Sequence, residues 1–555
     1  MTAFRLPAPL HPGAPVGNPI TITHDGRRLE ARDTEPVAVS LLAAGVPVLS
    51  RSFRFHRPRG LMCSTGQCGW CECRVDDRPG TRACTVAAAE GMEVRSEHSW
   101  PNARRDLFGL LDLGSRWVPN TFYHHRFLRP RAVRKLYLDV LRRFGGRGRL
   151  TAGGVGPIRP RRTIERTVDV AVVGGGPAGM LAALGAAEAG AGVLLLEAAD
   201  ALGGSWRWRT SPLPIYGSVG DLVTRVHADA RIDVLTNTTV LGRYGETLAA
   251  VGADAHWRIG ARAVVAATGS YERVPRVPNN DRPGVMGART VEWLINAFGV
   301  VPGRQCAVLA GKADAHRVSD LLRGSGATVD DALADLHGIG GRDRVRSVVI
   351  GGPDRRRRLR ADLLVFDARS PNLDLAISAG AAIESQPTGD LGARLGPAGW
   401  TSVPGLAMAG FCAGRSIEDG AAAAAAQETG RAAASAPGVT PLVSDGTAPS
   451  VPWPAGVRSS HNAHGSAFVC FCEDVRGREL TDELGSDATD PEILKRRTAV
   501  LTGPCQGKYC LHSYAATINS NADSRPGWAL PTGRPPLRPV RLSDLVRDGS
   551  PDADR

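Results

Sequence analysis

The sequence predicts a multidomain α/β protein, and three observations lead to this fold class. A chain of 555 residues is too long for one hydrophobic core, so several domains are expected. One stretch has the strand, glycine turn, helix and strand pattern of a βαβ unit, which belongs to a Rossmann-type core. Two separate groups of cysteines flank that unit and indicate a small domain at each end of the chain.

The N-terminal segment, residues 1–100, is rich in strand and turn signals. In CSTGQCGWC the residues Cys63, Cys68 and Cys71 follow C-x4-C-x2-C, and Cys84 lies further along the chain. This spacing is that of plant-type [2Fe-2S] ferredoxins, in which each iron takes two thiolates. We therefore predict a β-grasp-like ferredoxin domain that holds one [2Fe-2S] cluster.

Other features of the same loop support this prediction. Gly66 and Gly69 give the backbone the freedom to point its N–H groups at the sulfides of a cluster. A structural zinc ion is the alternative for four cysteines, although zinc sites usually present two short C-x2-C pairs. Cys73 is interpreted as a spare thiol on the same strand.

Residues 101–165 are interpreted as a basic connector. Between Pro101 and Arg166, 16 Lys or Arg stand against 4 Asp or Glu, so this segment supplies +12 of the +13 net charge. The stretch RAVRKLYLDVLRRF, residues 131–144, predicts an amphipathic surface helix packed on its own protein. A partner-docking or phosphate-binding surface is the alternative, and no nucleic-acid partner is expected. Any membrane contact is expected to be peripheral at most.

A dinucleotide-binding signature lies in TVDVAVVGGGPAGMLAALGAAEAGAGVLLLEAAD. Its G-x-G-x-x-G motif, formed by Gly174, Gly176 and Gly179, stands between the predicted strand and helix, and Glu197 ends the following strand. Glycines let the backbone approach a pyrophosphate at the helix N-terminus, and the carboxylate accepts hydrogen bonds from ribose hydroxyls. The sequence therefore predicts a dinucleotide site here.

Three further segments favour FAD over NAD. Gly203 and Gly204 resemble the second glycine turn of glutathione-reductase-like flavoproteins. VVAATGS, with Thr268 and Gly269, resembles the ATG motif of those proteins. PGLAMAGFCAG, with Gly410, resembles the late motif before the helix that faces the isoalloxazine ring. We predict an FAD-binding domain over residues 166–435.

Two departures from that flavoprotein pattern limit what we expect. Phe411 replaces the usual acid after the glycine, which puts a carboxylate contact to the ribityl chain in doubt, and Cys412 is interpreted as a small core residue. The second nucleotide turn should lie in RQCAVLAGKADAHRVSDLL, which keeps only Gly311 of the expected glycines. We expect no normal NAD(P)H oxidation at this degenerate insert, about residues 282–370, because side chains obstruct a phosphate cradle.

A stretch rich in Pro, Gly and Ser, residues 436–465, is predicted to be a linker to a small C-terminal domain, residues 466–555. Four cysteines form two close pairs in FVCFCEDV and GPCQGKYC: Cys470, Cys472, Cys505 and Cys510. They suit one [2Fe-2S] cluster or one zinc ion, and spacing alone leaves both open. Since the chain shows neither a signal-peptide core nor a long apolar run, we expect a cytoplasmic, reducing location.

Several segments together resemble the α subunit of heteromeric sarcosine oxidase: SRSFRFHRPRGLMCSTGQC, PNTFYHHRF, ATGSYERVPRVPNNDRPGVM, FCEDV and GPCQGKYC. Shorter relatives are the large subunits of opine, octopine and dye-linked proline dehydrogenases and of hydrogen cyanide synthase. The sarcosine oxidase polypeptide lacks the cluster cysteines and continues into an aminomethyltransferase-like domain, so we expect no folate-coupled chemistry here. The C-terminal cysteines resemble the bacterioferritin-associated ferredoxin type, which implies a small α-helical [2Fe-2S] domain.

The resemblance implies an electron-transfer subunit with FAD and two [2Fe-2S] clusters. In such enzymes a smaller β subunit, of D-amino acid or glycine oxidase type, holds its own FAD and oxidises an amine, imino acid or amino acid. An FMN at a subunit interface, a small extra subunit, the substrate and the electron acceptor stay open. The alternatives are a stand-alone NAD(P)H:acceptor reductase and a non-catalytic redox assembly subunit. No residue is assigned a catalytic role, because the sequence contains no group of residues typical of hydrolytic catalysis.

Overall fold

The computed structural model covers most of the chain. It describes residues 4–112, 130, 133–139, 160–214, 216–309, 313–332, 335–352, 355–385, 391–436, 465–484, 490–521, 530–531 and 533–546. Gly311, the segment PNTFYHHRF, residues 437–464 of the predicted linker and most of the basic connector lie outside these ranges.

The labelled helices of the described residues are α1 (Val37–Ala43), α2 (Pro177–Glu188), α3 (Val219–Ala228), α4 (Ala288–Phe298), α5 (Ala313–Gly324), α6 (Asp374–Ser378), α7 (Gly420–Ala434), α8 (Gly477–Leu484), α9 (Pro491–Thr498) and α10 (Leu511–Asn521). The first strands are β1 (Phe4–Arg5), β2 (Pro19–His24), β3 (Arg27–Arg32), β4 (Ser50–Arg51), β5 (Pro58–Arg59), β6 (Glu72–Val75), β7 (Arg78–Arg82), β8 (Glu93–Ser96), β9 (Arg162–Val173), β10 (Val193–Leu196), β11 (Ile232–Leu235), β12 (Thr239–Tyr244), β13 (Thr247–Val251), β14 (Ala255–Ala266) and β15 (Ser270–Glu272). The later strands are β16 (Val285–Gly287), β17 (Val300–Val301), β18 (Gln305–Leu309), β19 (Thr328–Ala332), β20 (Leu336–Gly340), β21 (Ser347–Gly351), β22 (Arg356–Arg360), β23 (Leu363–Phe366), β24 (Arg369–Pro371), β25 (Ile383–Ser385), β26 (Leu391–Ala393), β27 (Leu406–Met408), β28 (Phe468–Cys470) and β29 (Val475–Arg476).

The chain divides into two compact units, each built from three separate stretches. We call the first the cysteine unit: Met1–Gly156, Glu272–Ala368 and Ser460–Asn521. The second is the glycine unit: Pro157–Tyr271, Arg369–Ser459 and Ala522–Arg555. Both cysteine groups and the degenerate nucleotide insert thus fall in the same unit, while the G-x-G-x-x-G motif falls in the other.

A twisted, mostly parallel sheet forms the centre of the glycine unit. Its strand order is β11-β10-β9-β14-β13-β12, and β27 pairs with β14. β10 runs parallel to β11 and β9, and β14 runs parallel to β9 and antiparallel to β13. The parallel pairs require crossover connections such as α2 between β9 and β10. The predicted βαβ unit is therefore present, and its Ala-rich helix packs on α7, the helix that alanine-rich composition predicts near residue 430.

The cysteine unit contains two larger sheets over one apolar core. The N-terminal sheet has the order β3-β2-β8-β6-β7, in which only β2 and β8 are parallel. The insert has a parallel sheet, β16-β23-β18-β19, flanked by α4 and α5. Side chains of α1, α4 and both sheets share a single buried cluster, so the first cysteine domain and the insert pack together.

The basic connector is described only in part. Residues 133–139 are helical, as the predicted amphipathic helix requires. Leu136 is 67% exposed and Val133 is 39% exposed, so these two apolar side chains are not buried against the protein. None of the helices in the described ranges has the length and apolar composition needed to cross a bilayer.

Candidate cofactor-binding sites

The first glycine turn links β9 to α2, and steric contacts explain its glycines. Gly174 has φ of 112°, and its N–H donates to the Leu196 carbonyl at 2.8 Å. A Cβ atom on Gly179 would lie 1.8 Å from the Gly174 oxygen. Only glycine fits at these two positions, because a side chain would strain the first and displace the backbone at the second.

Glu197 lies beside this turn at the end of β10. Its carboxylate accepts hydrogen bonds from the Gly175 N–H at 2.7 Å and from the Ala199 N–H at 2.7 Å. A carboxylate can accept further hydrogen bonds beyond these two, so it keeps the capacity to bind ribose hydroxyls. The predicted acid is therefore fixed next to the predicted pyrophosphate turn.

The second glycine turn packs directly on the first. The Gly203 N–H donates to the Gly175 carbonyl at 2.9 Å, and a Cβ atom on Gly204 would lie 2.9 Å from the Gly176 Cα. Gly176 precedes α2, and an added Cβ there would meet no heavy atom closer than 3.9 Å. This space at a helix N-terminus suits a pyrophosphate, because the free N–H groups and the helix dipole favour an anion.

The later predicted residues converge on the same edge of the sheet. The Thr268 nitrogen would lie 3.4 Å from a Cβ atom on Gly174. Gly410 has φ of 72°, and its added Cβ would lie 2.4 Å from the Cβ of Ala178 in α2. Gly269 has φ of 75° with no atom within 4 Å of an added Cβ. All eight predicted dinucleotide residues therefore lie around the start of α2 and the adjoining strand ends, an arrangement that fits FAD.

The contacts of Phe411 and Cys412 explain why these two residues occur in the late motif. The Arg369 guanidinium lies 4.5 Å from the centroid of the Phe411 ring, a cation–π contact in place of the usual acid. Cys412 is buried, and its Sγ donates to the carbonyls of Ala266 and Ala409 at 3.1 Å. Burial raises the pKa of the Cys412 thiol, as expected for the core residue that the sequence indicated.

The N-terminal cysteine loop brings its four predicted ligands together. Cys63, Cys68, Cys71 and Cys84 are all at most 5% exposed. The thiol of Cys63 contacts those of Cys68 and Cys84, and Cys84 also contacts Cys71. Four thiols collected in a buried pocket provide the ligand set of a [2Fe-2S] cluster.

The backbone of this loop also suits a cluster. The Thr65 N–H donates to Cys63 Sγ at 3.5 Å, and the Trp70 N–H donates to Cys68 Sγ at 3.4 Å. Gly66 has φ of 71°, and an added Cβ would lie 2.4 Å from Thr85 Cγ2. The predicted role of the loop glycines thus has a steric basis, and N–H donors point at ligand sulfurs.

Charge is unevenly shared among these thiols. Burial alone would raise the pKa of Cys63, but hydrogen bonds from Cys68, Cys84 and Thr65 hold it well below the usual value. Burial raises the pKa of Cys68, and the Cys63 contact raises that of Cys84. Iron binding would require every ligating thiol to lose its proton.

Cys73 follows this loop on β6, and its thiol is not among the contacts that join the four predicted ligands. It is fully buried on β6, and its Sγ donates to the Leu49 carbonyl at 3.6 Å. Burial raises its pKa well above the usual thiol value. This environment agrees with the interpretation of Cys73 as a spare thiol.

The C-terminal cysteines form a second set. The Cys505 thiol contacts those of Cys472 and Cys510, and Cys510 contacts Cys470. These contacts hold the pKa of Cys505 well below the usual value and raise that of Cys472. A Cβ atom on Gly503 would lie 2.3 Å from the Cys472 Cβ, so this glycine lets the two cysteine pairs approach each other.

All eleven cysteines are free thiols. Within the described ranges, no three His, Cys, Asp or Glu side chains are grouped as ligands of a single metal ion. A [2Fe-2S] cluster instead has two thiolates on each of its two irons. The assignment of the eight cysteines to clusters is a proposal that depends on the thiol contacts.

The arginine-rich segment before the first cysteine forms a buried ion-pair network that the sequence did not reveal. Arg57 donates to both carboxylate oxygens of Asp281, at 2.6 and 2.7 Å. Arg59 donates to Asp281 and Asp474 at 2.5 Å each. Both acids are fully buried. The network therefore ties the N-terminal domain to the insert and to the C-terminal cysteine segment, all within the cysteine unit.

The degenerate insert keeps the strand and helix that the sequence predicted, β18 and α5. Asp331 near the end of β19 accepts hydrogen bonds from Ser319 at 2.5 Å and from Arg323. Asp331 is thus hydrogen-bonded to two side chains of its own domain. Gly311 lies outside the described residues, so its predicted role stays untested.

Two families match separate parts of the chain. Residues 17–99 match a 2Fe-2S iron-sulfur cluster binding domain, and residues 169–269 match an FAD dependent oxidoreductase. The sarcosine oxidase α subunit of Rhizobium meliloti (strain 1021) is 31% identical over 359 residues, which cover 59% of this chain and 35% of that one. The chain is similar to sarcosine oxidase α subunits over more than half of its own length. FAD and one iron–sulfur cluster are confirmed as its predicted cofactors.

Two further proteins are similar to most of the chain. An opine oxidase subunit of Agrobacterium tumefaciens (strain Ach5) is 25% identical over 474 residues, which cover 68% of this chain and 91% of that one. The crystal structure of L-proline dehydrogenase from P. horikoshii superposes with a TM-score of 0.70 at 22% identity, covering 98% of this chain and all of that one. It confirms the predicted multidomain α/β fold. The chain spans only 30–35% of the length of the sarcosine oxidase α subunits that it matches.

Proposed function

We propose that the chain is the electron-transfer α subunit of a heteromeric FAD-dependent dehydrogenase. The observation that carries the proposal is the pair of four-thiol sets, buried except at Cys472, in a chain that also has a flavin-type glycine site. Its substrate would be a secondary amine, imino acid or amino acid, oxidised at a partner β subunit of D-amino acid or glycine oxidase type. The relatives named as subunits of sarcosine and opine oxidases support the need for a partner.

The cofactors would supply the redox chemistry, since FAD takes up two electrons together while a [2Fe-2S] cluster carries one. The chain's residues hold and shield them. Gly174, Gly176 and Gly179 open the helix N-terminus to the pyrophosphate, and Glu197 is placed to accept from the ribose. The two cysteine sets would hold two clusters, and seven of the eight cysteines are buried. FMN at a subunit interface and a small extra subunit stay open parts of the proposal.

A cytoplasmic location completes the proposal, because a reducing compartment keeps cysteines as free thiols. The eleven free thiols of the structure support it.

Co-purification followed by a dye-reduction screen tests the proposal. The tagged chain should capture a second flavoprotein, and the complex should reduce a dye with one of sarcosine, proline, hydroxyproline, an opine or glycine. The chain alone should be inactive with all of them, because the substrate site lies in the partner. The proposal would be contradicted if the complex reduced the dye with none of these donors.

A stand-alone NAD(P)H:acceptor reductase predicts a different result. Anaerobic addition of NADH or NADPH to the isolated chain would then bleach the flavin promptly. We expect no bleaching, since the second nucleotide turn keeps only Gly311 of the glycines that a phosphate cradle requires. A redox assembly subunit would instead keep its flavin oxidised when both partner and amine are added.

A further inference from the structure

The two cysteine loops touch each other inside the cysteine unit. Cys472 Sγ lies 3.9 Å from the carbonyl oxygen of Cys68, so a ligand sulfur of one set contacts the backbone of the other. A Cβ atom on Gly69 would lie 3.6 Å from Pro504 Cγ. The two sets, which are about 400 positions apart in sequence, are therefore direct neighbours in the fold.

Arg82 and a pair of aromatic rings fix this contact. Arg82 donates to the Gly66 carbonyl in the N-terminal loop and to the Pro504 carbonyl, at 3.2 Å, in the C-terminal loop. The rings of Trp70 and Phe471 meet edge to face with centroids 5.0 Å apart. An edge-to-face ring pair stabilises a contact by more than the area that it buries, so this pair helps to fix the position of one loop against the other.

Tyr509 crosses from one loop to the other. It immediately precedes Cys510 in the C-terminal set, and its side chain forms a hydrogen bond with Cys63 of the N-terminal set. A phenol O–H is a hydrogen-bond donor and the sulfur of a thiolate is an acceptor, so the Tyr509 hydroxyl is the donor in this bond.

A hydrogen bond to a ligand sulfur influences the reduction potential of an iron–sulfur cluster. It stabilises the reduced state, which carries more negative charge, more than the oxidised state, and so raises the potential. Reduction of one cluster also places negative charge beside the other, which makes the second reduction less favourable. The contacts thus provide a physical route by which each loop affects the other.

We propose that the two cysteine loops form one coupled redox unit, in which Tyr509 of the C-terminal loop sets the reduction potential of the N-terminal cluster through Cys63. The inference rests on the proposed function, since both loops must hold [2Fe-2S] clusters. Tyr509 is a positioning residue, because it acts on the N-terminal cluster through Cys63. The cysteines of that cluster are remote from Tyr509 in sequence.

Potentiometric titration of the anaerobic full chain, followed by electron paramagnetic resonance, tests the proposal. Cys84→Ser and Cys510→Ser each change one ligand set and so assign the two signals. Tyr509→Phe should lower the midpoint potential of the N-terminal signal, although the substitution lies in the other loop. Tyr514→Phe is the matched control, because its buried hydroxyl donates to the Pro491 carbonyl at 3.2 Å and should leave that potential unchanged.

A second readout needs no substitution. In the fully reduced parent chain the two paramagnetic clusters should broaden or split each other's signals, and this interaction should vanish in Cys510→Ser if that variant loses its cluster. Two independent signals in the parent, or a Tyr509→Phe chain with full iron content and an unchanged N-terminal potential, would overturn the inference. Absence of iron from both loops would instead overturn the proposed function, so the two failures are distinguishable.

Discussion

Arg57 holds Asp281 through two parallel hydrogen bonds, from Nε at 2.6 Å and from Nη2 at 2.7 Å. Asp281 is fully buried, so this pair is the centre of the network that joins three segments of the cysteine unit. Bidentate pairs of this kind combine geometric specificity with charge-assisted bonding. Their removal leaves uncompensated charge in the interior.

Asp281→Asn should lower the free energy of unfolding of the cysteine unit by about 3–5 kcal/mol, because Arg57 and Arg59 lose their buried counter-charge. Denaturant unfolding at pH 7 measures the loss. Asp343→Asn is the matched control, since that carboxylate is 52% exposed in its pair with Arg51 and should cost less than about 1 kcal/mol. Equal effects of the two substitutions would contradict the role of the buried pair.

The stability that Asp281 contributes should decrease at acid pH. Burial alone would raise its pKa, but Arg57 and Arg59 hold it well below the usual value. A depressed pKa gives a stability contribution that is present above the unfolded value and lost as the pH falls. The difference in stability between the parent and Asp281→Asn should therefore shrink below about pH 4.

The contribution of Glu272 to stability should have the opposite pH dependence. Burial raises its pKa from 4.5 to about 7, against the charge of Arg289. The stability contribution of its protonated form is complete below pH 4.5 and is lost as the pH rises through about 7. Glu272→Gln should therefore be more stable than the parent above pH 7, by up to about 3 kcal/mol, and equal to it near pH 4.5. Thermal unfolding across this pH range checks the prediction, and parallel curves would refute it.

Substitutions of Cys71 and Cys73 should have opposite effects on the cluster, although both residues are buried and only one residue separates them. Cys71→Ala should abolish the N-terminal cluster, because Cys71 contacts Cys84 in the thiol set. Cys73→Ala should keep it, because that thiol bonds only to the Leu49 carbonyl among the contacts described. Iron and labile sulfide per chain measure the outcome, and loss of iron from Cys73→Ala would disprove the assigned ligand set.

Gly176→Ala separates folding from flavin binding. The nearest heavy atom to the added Cβ would be 3.9 Å away, so the variant should fold like the parent. It should bind FAD at least tenfold more weakly, because the methyl group fills the helix N-terminus that the pyrophosphate requires. Gly192→Ala, whose nearest contact is 3.5 Å away on the same unit's surface, should retain FAD. Full flavin content in Gly176→Ala would place the nucleotide elsewhere.

The local parts of the fold and sites were predictable from the sequence. Periodicity and glycine placement indicated β9, α2 and β10, because a βαβ unit is encoded within one continuous stretch. Cysteine spacing indicated which thiols come together, and the thiols of each set are in contact, while the assignment of these sets to clusters stays a prediction. Even the bystander role of Cys73 and the core position of Cys412 agree with their contacts.

The relations between distant segments were not predictable. The motifs that contain Arg57, Asp281 and Asp474 were recognised separately, yet nothing in their spacing shows that these side chains form one network. Tyr509 was missed for the same reason, since its partner Cys63 lies in another domain. Such pairings depend on how domains pack, which periodicity and motif spacing do not encode.

We expect iron, held by thiolates at two neighbouring loops, to accompany a bound flavin in this chain. The decisive measurement is metal, labile-sulfide and flavin analysis of the native protein, purified without oxygen. The protein should contain FAD together with two irons and two labile sulfides for each of the two cysteine sets. Zinc at either set, or no metal at all, would contradict this expectation.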